Sequence, residues 1–146
     1  MQSVFLAAGI LVCVASSLAA TDMAVITDSG STNTAGFRIE VNPSGEGVYT
    51  ATRRRPSQLP DAQMKPRNRQ IPSDVVKRFY ADLDAAKPLA ALPSQRCMKS
   101  ASFGTTLTVE YRDQKSPDLR CGDHGDAKLK ALIQSTNEVI RAFTTE

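Results

Sequence analysis

The residues best suited to chemistry are few and scattered. Asp28-Ser29-Gly30 sets a carboxylate beside a hydroxyl and a glycine. That order suits the acid–base hydrolysis of aspartic proteases, where two such aspartates share one proton. The chain holds a single copy, so a symmetric dimer would have to supply the second. A polar loop closed by an Asx turn accounts for the same residues without chemistry. Ser100-Ala101-Ser102-Phe103-Gly104 places a serine two positions before a glycine, and the chain has one histidine, His124. A serine nucleophile needs a histidine base in hydrogen-bond reach and a strand-to-helix elbow. The first glycine of such an elbow is missing here, and entry into a strand explains the segment equally well. Asp118, Asp123, His124 and Asp126 gather oxygen and nitrogen ligands, but their spacing fits no calcium loop. Asp126 is also placed to cap a helix. These patterns lead us to expect no catalytic set, no metal and no cofactor. A hydrolase centred on Asp28 or Ser102 is the enzymatic alternative.

A second pattern is electrostatic. Arg53, Arg54, Arg55, Lys65, Arg67 and Arg69 crowd one connection, opposed only by Asp61. Such a patch suits an anionic partner, whether phospholipid, acidic polysaccharide or acidic protein. No aromatic residues alternate with these charges to stack on bases, so nucleic acid is not the expected partner. Charge runs of this kind are also ordinary solvated loops. The whole chain carries 18 basic and 15 acidic side chains, a net charge of +3, which is too mild to imply a partner by itself.

The three cysteines divide by position. Residues 1–20 contain no charged side chain, Val4 to Leu18 is nearly continuous apolar sequence, and Leu18-Ala19-Ala20 is a small-residue cleavage pattern. That is the layout of a secretory signal peptide, and the run is short for a membrane span. An uncleaved N-terminal anchor is the alternative. Cleavage after Ala20 removes Cys13 and leaves Cys97 and Cys121, a pair expected to form a disulfide in an oxidising compartment. Closing a loop of about 25 residues stabilises the fold by about 3.5 kcal/mol in the chain-entropy model. The expected location is secreted or periplasmic, with no membrane span after cleavage.

The elements that must position these residues follow from periodicity. Residues 1–20 form the signal, 21–34 an N-terminal strand and polar loop, and 35–146 a single α+β domain. Met23 to Thr27 is β-prone. Phe37, Ile39 and Val41 alternate with Arg38 and Glu40, Asn42 to Gly47 is dense turn chemistry, and Val48 to Arg53 returns as a strand. Pro56 to Gln70 shows no hydrophobic period. Ser73 is placed to cap a helix, with Asp74 in its first turn. Val75, Val76, Phe79, Tyr80 and Leu83 follow at helical spacing, and Pro88 ends that helix. Thr105, Leu107, Val109 and Tyr111 form a third alternating run, Arg112 to Lys115 turns, and Ser116 to Cys121 returns. A last helix after Asp126 carries Leu129, Leu132, Ile133, Thr136, Ile140 and Phe143 on one face. The order ββαββα predicts an antiparallel sheet of four to five strands with two helices packed on one face.

Gly36-Phe37-Arg38-Ile39-Glu40-Val41 with its turn, the helix exit from Phe79 to Leu92, Cys97 to Gly104, and Ser116-Pro117-Asp118-Leu119-Arg120-Cys121 together resemble a group of small exported bacterial domains of unknown function. The resemblance runs from Ala35 to Phe143. It implies a fold and an exported setting, and no activity.

The functional expectation is a non-catalytic module that binds an unknown protein or an anionic envelope component, an inhibitor being one form of it. The alternatives are the hydrolase above and an accessory structural domain without a tight ligand.

Overall fold

The computed structural model describes residues 22–145. The expected signal peptide, with Cys13, lies outside the described residues. Within them the chain forms β1 (Ala24–Asp28), β2 (Gly36–Val41), β3 (Glu46–Thr52), β4 (Arg67–Gln70), α1 (Ser73–Ala85), β5 (Leu107–Tyr111), β6 (Gln114–Lys115) and α2 (Ala127–Thr144). All pairings are antiparallel, and the strand order across the sheet is β4-β3-β2-β1-β5-β6. This is the expected α+β class, with six strands where four to five were expected.

Two local features explain the difference. β4 lies inside the connection that shows no hydrophobic period, and all four of its residues, Arg67 to Gln70, are exposed. An edge strand with neither face buried has no reason to alternate, so its sequence reads as a loop. The expected return strand from Ser116 to Cys121 is not formed: β6 is Gln114–Lys115, inside the segment expected to turn, and Leu119–Cys121 is a single 3-10 turn. Pro117 has no N–H to continue a ladder. Side chains continue it instead: Ser116 Oγ accepts the Val109 N–H at 2.9 Å, and Asp118 Oδ1 accepts the Leu107 N–H at 3.0 Å.

The core lies between the sheet and the two helices. Ala24 and Ile26 of β1, Ile39 and Val41 of β2, and Leu107 and Val109 of β5 meet Phe79 and Leu83 of α1 and Leu129, Leu132 and Val139 of α2. Phe79 and Leu83 are fully buried. α1 starts at Ser73 itself, with Pro72 in the capping position and no side-chain cap bond. Ser73 is therefore the first helical residue and not the cap, because Pro72 already fixes the backbone dihedral from which a helix can start. α2 follows the expected cap: Asp126 accepts the Leu129 N–H at 2.8 Å. Its buried face includes Ser135 and Val139, while Ile133 and Ile140 are only half-buried. Among described buried side-chain atoms, Thr136 Oγ1 has no hydrogen-bond partner.

Tyr80 ties α1 to the sheet. Its hydroxyl lies 2.6 Å from the Val41 carbonyl and accepts the Ala24 N–H at 3.3 Å. Burial pushes the Tyr80 pKa well above its usual value, so the hydroxyl is a neutral hydrogen-bond partner throughout the working pH range. Thr27, Arg38, Glu40 and Thr108 lie on the opposite face of the sheet, away from α1 and α2.

Candidate functional site

The sequence motifs that stand far apart in the chain meet at one end of the sheet, where β1 runs out at Asp28. Asp28 is buried. One carboxylate oxygen accepts the Gly30 N–H at 2.9 Å, the Asx turn that the sequence suggested. The other accepts Thr105 Oγ1 at 3.1 Å and the Arg120 guanidinium at 2.8 Å. Gly30 sits at φ +59°, in the left-handed region, and a Cβ there would come within 2.6 Å of Gly36 N. Asp28 thus joins β1, the approach to β5 and the turn before α2. The structure brings the Asp28 motif beside the Ser100–Gly104 motif, a proximity not visible from their separation in sequence.

The second motif forms a loop held at its base and along its side. Cys97 and Cys121 form the expected disulfide, with Cα atoms 5.4 Å apart. Lys99 pairs with Asp118 and donates to the Thr105 carbonyl at 2.6 Å. Burial opposes ionisation of Asp118, but the Lys99 contact and the Leu107 and Arg120 N–H groups outweigh it and hold its pKa below the usual carboxylate value. A depressed folded-state pKa stabilises the loop above the ordinary carboxylate range, and that stabilisation is lost as pH falls through the folded-state value. Gly104 closes the loop onto the Ser100 carbonyl at 2.7 Å, and a Cβ at this glycine would lie 2.5 Å from that oxygen.

The neighbouring loop grips the other side. Ser31 Oγ donates to the Ser102 carbonyl at 2.7 Å, and the Asn33 N–H donates to the same oxygen at 3.0 Å. Gln58 connects the third loop: its amide donates to the Ser31 and Thr32 carbonyls, each at 2.9 Å, and its oxygen accepts the Arg54 N–H at 2.6 Å and the Arg55 N–H at 3.2 Å. No periodicity in the sequence marks Gln58 or Ser31; their role is visible only once three loops converge.

What this clamped loop presents is apolar. Met98 is fully exposed and Phe103 is 66 % exposed. Met23, at 38 %, is the other exposed large hydrophobic among the described residues. Single exposed hydrophobic residues are ordinary on a protein surface, and two of them on one loop make that loop the candidate contact element.

The basic cluster divides in the structure. Arg53 donates to the Leu59 carbonyl and pairs with Asp61. Arg67 lies over the Tyr49 ring, 4.4 Å from its centroid. Arg69 donates to the Ala142 and Thr145 carbonyls, at 2.5 and 2.9 Å, a cation at the C-terminus of α2 where the helix dipole favours one. Three of the six therefore hold the fold together. Arg54, Arg55 and Lys65 are exposed and form no ion pair among the described residues.

The acidic residues near the bridge are engaged locally. Asp126 caps α2, and Asp123 Oδ1 accepts the Gly125 N–H at 2.9 Å. His124 is exposed at φ +48° in the loop before α2. Asp118 lies beside both cysteine sulfurs, but those sulfurs are bonded to each other and hold no thiolate for a metal. Ser102 contributes its carbonyl to the loop clamp, and among the described residues it makes no hydrogen bond with His124. No family model and no curated protein sequence matches the chain. No helix among the described residues is long and apolar enough to cross a membrane.

Proposed function

We propose that this chain is an exported, non-catalytic binding module whose contact element is the disulfide-clamped loop, with Met98 and Phe103 as its anchors. The observation that carries the reading is the combination of fixed backbone and exposed apolar side chains on one loop. Binding orders whatever is flexible, so a loop already held by a covalent bond and a set of hydrogen bonds loses little entropy on docking. Bulky side chains on such a support are the residues that dominate interface energy. The internal engagement of Asp28 favours this reading over hydrolysis, since its carboxylate oxygens are occupied by the fold's own donors. The expected signal peptide and the disulfide support export.

A photo-reactive phenylalanine analogue at position 103 tests the reading in an envelope extract. We expect a covalent adduct that disappears when unlabelled wild-type protein is in excess and persists when Phe103→Ser protein is in excess. The same analogue at exposed Ala81 on α1 provides the control. Equal adduct yields at 81 and 103, or none at 103, would contradict the proposal.

A further inference from the structure

Three exposed arginines that enter no ion pair among the described residues are tied to the clamped loop, one along the chain and two through hydrogen bonds of their backbone. Arg96 immediately precedes Cys97 and Met98 and is exposed. Arg54 and Arg55 reach the loop by a short hydrogen-bonded route. Their backbone N–H groups donate to Gln58, the Gln58 amide donates to the Ser31 and Thr32 carbonyls, and Ser31 Oγ donates to the carbonyl of Ser102, next to Phe103. Of the other charges at this end, Arg53 pairs with Asp61, Lys99 with Asp118 and Arg120 with buried Asp28, while the carboxylates past the bridge are taken up by backbone, Asp123 by the Gly125 N–H and Asp126 by the Leu129 N–H. Arg54, Arg55 and Arg96 enter no such pair among the described residues. What remains is two exposed apolar side chains on the loop and three exposed arginines without an ion pair, against two carboxylates, Asp123 and Asp126, already committed to backbone before α2.

We infer that this loop end recognises a protein segment that offers an apolar pocket or side chain flanked by carboxylates. The inference rests on the binding reading above and adds the charge of the partner. Arginine is suited to it, because the planar guanidinium takes a carboxylate through two parallel hydrogen bonds. A lipid bilayer shares the same two attractions, but the observations favour protein. Polybasic membrane attachment uses clusters of about four or more cations, or an amphipathic helix with a wide apolar face. Here there are three cations and two apolar side chains.

The test is selection of a displayed random-peptide library on the immobilised protein, with vesicles of phosphatidylcholine containing phosphatidylserine as a second arm. We expect enriched peptides to combine bulky apolar residues with Asp or Glu. Their affinity should fall at least about tenfold in Phe103→Ser, the ordinary loss for truncating an interface anchor. It should fall about tenfold in Arg54→Glu with Arg55→Glu, and should weaken as salt rises from about 0.05 to about 0.5 M. All three positions are exposed, and matching thermal melts exclude misfolding as the cause. Enriched peptides that depend on Phe103 but lack acidic residues, and that ignore both arginines and salt, would overturn the charge inference and leave the binding reading standing. Failure to enrich any Phe103-dependent peptide would overturn both. Sedimentation with the vesicles, lost in Phe103→Ser, would overturn the protein partner in favour of a membrane.

Discussion

The helix-covered half of the sheet and the loop-covered end are built by different physics. In the first, side chains such as Phe79, Ile26, Ile39 and Leu132 are fully buried, and the elements hold because apolar surface leaves water. In the second, few side chains are fully buried. Asp28, Gln58, Asp118 and Ser31 hold loop backbone by hydrogen bonds, and one disulfide closes the ring. The first arrangement gives a cooperative core beside which Met23, just before β1, is the exposed large hydrophobic group among the described residues. The second fixes backbone without needing the loop's own apolar side chains, which leaves Met98 and Phe103 free to face outward. A loop supported in this way can vary its tip without disturbing the fold.

Breaking the core has the largest expected effect. Phe79→Ala removes a fully buried ring at the α1–sheet contact and should cost about 3–5 kcal/mol, read from the denaturant midpoint. A loss below about 1 kcal/mol would mean the site collapses to fill the gap. Removing the staple comes next. Cys97→Ser with Cys121→Ser should lower stability by up to about 3.5 kcal/mol, with hydrogen exchange rising across residues 97–106 and little changed in β2 and α1. Uniform exchange increases would show that the two regions are not energetically separable. The smallest effect sharpens the core side. Thr136→Val replaces a buried hydroxyl that has no partner among the described residues with a methyl group of similar shape and should stabilise by about 1 kcal/mol in thermal unfolding. Destabilisation would indicate a partner for that hydroxyl.

The same contrast governs what was legible in the sequence. β2, β5, α1 and α2 stand out because burial of one face imposes a period on their residues. β4 did not, because Arg67 to Gln70 bury neither face, and Ser116 to Cys121 misled because Ser116 and Asp118 side chains mimic a strand's hydrogen bonds across Pro117. The cysteine pairing was legible because the third cysteine, Cys13, falls in the expected signal peptide. The basic cluster was visible as composition, but its division was not: Arg53, Arg67 and Arg69 are engaged by Asp61, the Tyr49 ring and the end of α2, contacts that no local pattern encodes. Met98 and Phe103 were hardest to recognise, since an apolar residue in a loop reads as core until its exposure is known.

The account stands most directly on one paired measurement: unfolding free energy and Phe103-site adduct competition for the Met98→Ser, Phe103→Ser double variant. If these side chains serve binding and not folding, stability should stay within about 0.5 kcal/mol of wild type while the variant fails to compete for the crosslinked partner. A variant that competes as well as wild type, or one that loses about 2 kcal/mol or more of stability, would contradict it.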